Sequence, residues 1–337
     1  MTTATLPEPK PQTPARASRG RVTKLLGWQG FTLRVPEDWD LTGFSGSADE
    51  GYLRIDDGEE QGVELKWATE PKRAKKAPDV EVRTEVYLAS LERAARKKRL
   101  AFEGGFGEAP RGVLRSDRDA IGFKWTGDRK AIGALWHCRT TRRTVIAQVL
   151  GDRSGRKGLA GIAETILASL ENKDAEAGWR IWSLYDLYVE LPSRFLLVTP
   201  QLMNVYLRLS LADGTQRLSI EQWAVANVAR RDAYLDTWVE SNARGELRLA
   251  RYSADVAQVH DHDAVAMTGG LAFGQPWIQA IRETLSLRWP ATRFDARAWH
   301  CEPSNKIYLV ESLRPLRAAD PIEEIAQRLR CHEEVRA

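Results

Sequence analysis

The sequence predicts an α+β fold built from two tandem copies of one antiparallel sheet domain covered by helices. Three observations predict it. The first is internal repetition: Leu33, Val35, Pro36 and Trp39 match Val189, Leu191, Pro192 and Phe195 at an offset of 156 residues, and Glu64-Leu65-Lys66-Trp67 matches Ile220-Glu221-Gln222-Trp223 at the same offset. Further on, Trp136-His137-Cys138, Arg143 and Ile162-Ala163 match Trp299-His300-Cys301, Lys306 and Ile325-Ala326 at an offset of 163. The second is a series of short segments of alternating apolar residues separated by turn residues, the period of half-buried strands. The third is a pair of helical stripes at equivalent places in each copy. Hairpins in series with helices at two positions argue for a layered α+β domain.

Each copy opens on a strand, Phe31 to Val35 or Leu187 to Leu191, stopped by a proline. Two more strands follow: Gly51 to Asp56 and Gly62 to Trp67 in the first copy, Val205 to Leu211 and Gln216 to Trp223 in the second, the latter joined by the hairpin signal Asp213-Gly214. A helix comes next, because Tyr87, Leu88, Leu91, Ala94 and Ala95 recur at helical spacing after Pro78-Asp79. Its counterpart carries Leu235, Trp238 and Val239 and is expected to end before Gly245, with that glycine as its C-cap residue. A hairpin, Gly133 to Cys138 with Thr144 to Leu150, is matched by Arg297 to Cys301 with Lys306 to Leu313. Leu159, Ile162, Ala163, Ile166, Leu167 and Leu170 form the stripe of a closing helix; in the second copy Asp320-Pro321-Ile322-Glu323 reads as the start of its equivalent, with Ile325, Ala326 and Leu329 on the buried face.

A length of 337 residues suits two domains, and the boundaries this implies are a tail over 1–20, a first repeat over 21–172, a linker over 173–177 and a second repeat over 178–333. The tail is rich in Pro, Thr and Ala and lacks the apolar stretch of a secretory signal, so it is expected to be disordered. Hydrophobic residues make up 43% and charged residues 28%, the balance of a soluble globular chain. No membrane span is expected, since no run approaches about 18 apolar residues. Three cysteines, Cys138, Cys301 and Cys331, are too few for a disulfide framework and point to the reducing cytoplasm.

The copies differ at one place. If Asp119-Ala120-Ile121 answers to Asp263-Ala264-Val265, the second copy has lost about twelve residues before that point and gained about nineteen after it, within Gly269 to Arg297. Trp277, Ile278, Ile281 and Leu285 there make one apolar face behind Gln275-Pro276, so the insert at about 269–297 is expected to be an amphipathic helix. Trp277, Ile281 and Leu285 are its candidate partner-binding residues.

The net charge is +4, and the cations cluster in the first copy as Lys72, Arg73, Lys75 and Lys76 and as Arg96, Lys97, Lys98 and Arg99, flanking the predicted helix. Such runs usually form a solvated face, and no aromatic-interleaved motif accompanies them. The pattern Leu33-Arg34-Val35-Pro36-Glu37-Asp38-Trp39, followed by a meander, a helix, a hairpin and a closing helix, resembles the PsbP-like and DcrB-like α/β domains. That resemblance implies a small antiparallel sheet flanked by helices, without catalytic activity, in an accessory, adaptor or chaperone-like role. Phe195 stands where the motif has tryptophan, and the insert has no counterpart in it.

Few residues carry chemistry. Cys138 and Cys301 follow His137 and His300, but neighbours on a strand point to opposite faces, so each thiol is expected to pack with its Trp as core. No metal site is assigned: the two thiols come from different copies, His260-Asp261-His262-Asp263 reads as a solvated turn before a strand, and Cys331-His332 as the frayed end of the last helix. Gly104-Gly105-Phe106-Gly107 is not a phosphate loop, since no predicted strand precedes it. With neither catalytic nor cofactor motif, the reading is a noncatalytic tandem-repeat adaptor or chaperone-like protein that binds another protein at the seam or groove between its copies. The alternatives are a nucleic-acid-associated protein using the basic clusters and an enzyme using Cys301, His300 and the His260 cluster.

Overall fold

The computed structural model describes residues 22–74, 76–152, 158–172, 178–271 and 292–332. The tail, the linker, Lys75 and most of the insert, Trp277, Ile281 and Leu285 included, lie outside the described residues.

The first repeat runs β1 (Val22–Trp28), β2 (Phe31–Pro36), β3 (Asp40–Gly46), β4 (Glu50–Asp56), β5 (Gly62–Thr69), α1 (Val80–Lys97), β6 (Glu103–Gly107), β7 (Arg118–Thr126), β8 (Lys130–Cys138), β9 (Arg143–Gly151), α2 (Leu159–Ser169) and β10 (Glu171–Asn172). The second runs β11 (Trp179–Leu184), β12 (Leu187–Pro192), β13 (Leu196–Met203), β14 (Tyr206–Asp213), β15 (Gln216–Ala224), α3 (Ala226–Arg230), α4 (Leu235–Asn242), β16 (Ala250–Val259), β17 (His262–Leu271), β18 (Thr292–Cys301), β19 (Lys306–Pro315), α5 (Ile322–Arg328) and β20 (Leu329–Arg330). The fold is α+β and antiparallel throughout its sheets, as the alternation predicts.

The two seven-stranded sheets share one strand order, β3-β4-β5-β9-β8-β7-β6 and β13-β14-β15-β19-β18-β17-β16. The opening hairpins leave these sheets and join a third, six-stranded one in the order β10-β2-β1-β11-β12-β20. The repeats therefore meet inside a sheet rather than across a groove. β1 pairs with β11 at Gly27 and Ser183, and the Ser183 hydroxyl donates to the Leu25 carbonyl at 2.7 Å. Trp28 and Trp182, both buried, meet edge to face at 5.4 Å across this seam. One continuous core draws on Phe31, Leu33, Leu65 and Trp136 from the first repeat and on Val189, Leu209, Ile220 and Trp299 from the second. It also takes in the buried faces of α2 and α5.

Several strands are absent from the sequence reading for a physical reason. β13 shows mostly exposed residues and β6 is Glu-Gly-Gly-Phe-Gly, both edge strands that present little apolar alternation. The described ends of the insert correct its expected bounds: Gly269–Leu271 finish β17 and Thr292–Arg297 begin β18. Gly245 does not cap the preceding helix, which ends at Asn242 with Ala243 after it.

One match in the repeat needs correction. Val63 pairs with Val149 and Leu218 with Ser312, while Val149 and Ser312 hold the common offset of 163; Val63 therefore corresponds to Leu218, an offset of 155. Trp67 then corresponds to Gln222, and Trp223 to Ala68. A one-residue slip exchanges the faces of a strand. Trp67 accordingly packs in the shared core with its ring 5.0 Å from Phe31, whereas Trp223 lies on the other face of its sheet, 5.3 Å from Trp238 and 5.4 Å from Tyr206. The slip arises because the connection between the paired Ile55 and Val63 is one residue longer than that between their counterparts Leu211 and Leu218, seven residues against six.

Candidate functional site

The outer faces of the two seven-stranded sheets are finished differently. On the second, α4 lays Trp238 and Val239 over Trp223, Phe294 and Ile307 and closes a satellite core. Beneath it stand two fully buried carboxylates on neighbouring strands, Glu221 and Glu311. Glu311 accepts the backbone N–H groups of Glu246 and Leu247, both at 2.8 Å; Glu221 accepts the Tyr206 hydroxyl at 2.5 Å and the Arg244 N–H at 3.2 Å. Burial, then the charge of Glu221, push the Glu311 carboxyl up to about 8, against the pull of those two N–H donors. Gly245 is required here because a Cβ would overlap the Glu311 carboxylate.

On the first sheet, α1 is longer and packs over β6, β7 and β8, leaving β4, β5 and β9 open beside it. Asp79 caps it, its carboxylate accepting from the N–H groups of Glu81 at 2.9 Å and Val82 at 3.2 Å. Thr84 is its buried residue, while Val82 and Val86 are 52% and 60% exposed. Tyr87 reaches Phe123 edge to face at 5.5 Å and Arg83 pairs with Glu70 at 2.7 Å, which fixes the helix at its N-terminal half. Between helix and sheet lies a groove of about 940 Å³, lined among others by Tyr52, Lys66, Val86, Tyr87, Leu135 and Ile146. Lys66 approaches the Tyr52 and Tyr87 rings at 5.8 and 5.9 Å. Burial, reinforced by the Glu64 charge, pushes the Tyr52 phenol up to about 12 and that of Tyr87 higher still.

The cysteines and histidines fall out differently from the sequence reading. Cys138 and Cys301 are buried beside Trp136 and Trp299, as strand alternation requires. His137 Nδ1 lies 3.2 Å from the Thr144 hydroxyl and His300 Nδ1 3.4 Å from Arg230, so neither imidazole pairs with its adjacent thiol. His260 and His262 do not share a site either. His260 lies in the turn, with φ of 52°, and its Nε2 meets the Leu329 carbonyl at 2.9 Å. Cys331-His332 is the main correction: it is no frayed helix end but follows β20, which pairs with β12 and brings the dipeptide onto the sheet. There His262, Cys301, Cys331 and His332 converge, their ligand atoms all within 4.8 Å of one another. Burial, then the neighbouring His332, lower the pKa of His262, and burial beside Cys301 pushes the Cys331 thiol up to about 11. The sequence signal was a Cys-His pair after the last helix, which separation by 30 residues from Cys301 concealed.

The exposed basic residues Lys72, Arg73 and Lys76 precede α1, and Arg96, Lys97, Lys98 and Arg99 lie at its far end. An 18-residue helix separates them by about 27 Å. Among the described residues no helix is long and apolar enough to cross a membrane.

No family model and no curated protein sequence matches this chain, so the resemblance to PsbP-like and DcrB-like domains is not confirmed. Among solved structures, the chain is similar to the immunity protein TplEi of T6SS from Pseudomonas aeruginosa, complexed with "L" peptide, at 10% identity over 92% of this chain and 97% of that one, with a TM-score of 0.31. At that score the likeness carries nothing over to this chain's function.

Proposed function

We propose that the chain is a noncatalytic protein-binding protein of the adaptor or chaperone-like kind, and that its first repeat takes an apolar peptide segment of a partner into the groove under α1. The observation behind this is the uncovered outer face of the first sheet. The equivalent face of the second sheet is covered by Trp238 and Val239 and keeps about 440 Å³ of polar space beside α4, while the first keeps about 940 Å³ open beside the exposed Val82 and Val86. Tyr52, Tyr87, Leu135 and Ile146 supply aromatic and aliphatic surface of the kind that anchors peptide side chains. Lys66 within the groove, and Lys72, Arg73 and Lys76 at the N-terminal end of α1, favour acidic residues flanking the apolar anchors. Lys72, Arg73 and Lys76 on one side and Arg96, Lys97, Lys98 and Arg99 on the other lie at opposite ends of α1 and lack interleaved aromatics, which favours a peptide over a nucleic acid.

Selection of a displayed random-peptide library on the purified chain tests this. Enriched peptides should combine apolar anchors with acidic residues, and Val86→Arg, at an exposed position, should weaken their binding about tenfold, or about 1.4 kcal/mol, without altering the fold. Failure to enrich any motif, or equal binding by the variant, would overturn the groove as the binding site.

A further inference from the structure

We propose that His262, Cys301, Cys331 and His332 hold one zinc ion in a closed tetrahedral site that fastens the segment after β20 to the second repeat. The donor atoms come from the first residue of β17, the last residue of β18 and the stretch following β20, three places far apart in the chain. Their spacing suits the ion. With zinc–sulfur bonds of about 2.3 Å and zinc–nitrogen bonds of about 2.0 Å, a tetrahedron sets sulfur and nitrogen ligands about 3.5 Å apart. Here His332 Nδ1 lies 3.3 Å from each of the Cys301 and Cys331 sulfurs, and His262 Nε2 lies 3.4 Å from Cys331. Consecutive residues serve as two ligands because Cys331 and His332 have left regular strand structure, and His332 lies in a bend.

The donor set selects the metal. Two thiolates and two imidazoles suit zinc and disfavour magnesium or calcium, which take oxygen ligands. Four protein ligands leave no open position, so the ion is structural. Cys301 and Cys331 are buried, while His332 is exposed, which gives an ion a way in.

The first repeat is an internal control. Arg118 pairs with Cys138 as the register of Ala264 with Trp299 places His262 opposite Cys301, so Arg118 takes the position of His262. Asn172, which pairs with Phe31, takes that of Cys331, and its side chain is bound to Arg143 at 2.9 Å and to Thr141 at 3.0 Å. A guanidinium and an amide do not make such a site, so the metal belongs to the second repeat alone.

The test is the metal content of the full chain expressed with zinc and dialysed exhaustively, paired with cobalt substitution. The expected result is about one zinc per chain, a cobalt form with thiolate charge-transfer absorption, and loss of both in Cys331→Ser. Cys138→Ser should keep the metal. His262→Gln, at a half-buried position, serves should the cysteine variant fail to fold, and it should lose most of the metal while remaining folded. Wild-type chain that stays free of zinc and cobalt overturns the site. So does a disulfide between Cys301 and Cys331, seen as two cysteines that stay unlabelled in the denatured, unreduced chain, or a His262→Gln protein that retains zinc with unchanged affinity.

Discussion

Among single residues, Glu311 carries the clearest consequence. Its carboxyl is raised from the ordinary carboxylate range to about 8, chiefly by burial. Between those two values the native state keeps a proton that the unfolded chain has released, so stability falls as pH rises through that window and levels off above it. Denaturant unfolding of the wild type should show this slope, and Glu311→Gln, neutral at every pH, should flatten it. A slope identical in both proteins would mean that Glu311 is ionised throughout. Gly245 depends on the same carboxylate. Gly245→Ala would overlap the Glu311 carboxylate first and crowd that of Glu221 behind it, and should destabilise by roughly 1–3 kcal/mol, as overpacking does. Combining Gly245→Ala with Glu311→Ala should recover part of that loss.

Among elements, α1 and α4 occupy matching places and are held by different means. α1 relies on its cap: Asp79→Ala removes the acceptor of two N–H groups and should cost about 1 kcal/mol, read from chemical denaturation. α4 relies on an anchor. Trp238 is 8% exposed, stands edge to face with Trp223, and donates its indole N–H to the Ala229 carbonyl at 2.9 Å. Trp238→Ala should therefore cost roughly 3–5 kcal/mol, the loss of a large aromatic from a core. If the two substitutions cost the same, α4 does not seal its sheet and the contrast with the open groove disappears. The position and type of both helices were readable because helical periodicity is local to the segment. Which strands each one covers was not, since that depends on what Arg83, Tyr87 and Trp238 meet across the chain.

For the whole molecule, the shared central sheet decides how the repeats behave. A core that crosses from one repeat to the other leaves neither with a closed surface, since separating them would unpair β1 from β11 and expose Trp28 and Trp182. The chain should then unfold in one cooperative step, with tryptophan fluorescence and far-ultraviolet circular dichroism giving coincident transitions in urea. Two resolved transitions would show that the repeats fold independently. Residues 22–172 expressed alone should be insoluble or molten for the same reason, because β1 would become an unprotected edge.

The sequence by itself determined the duplication, the α+β class, the closing helices and the burial of Trp136, Cys138, Trp299 and Cys301, since each follows from periodicity or from alternation within one segment. Tertiary structure alone decided which face Trp223 occupies, because one residue in a turn resets the register of a strand against a partner about ninety residues away. It also decided that the opening hairpins of both repeats merge into one sheet, a pairing between strands more than 150 residues apart that no local pattern records. The same holds for the convergence of His262, Cys301, Cys331 and His332. Spacing along the chain places them on unrelated elements, and only the antiparallel pairing of β17 with β18 and of β12 with β20 carries their donor atoms to one point.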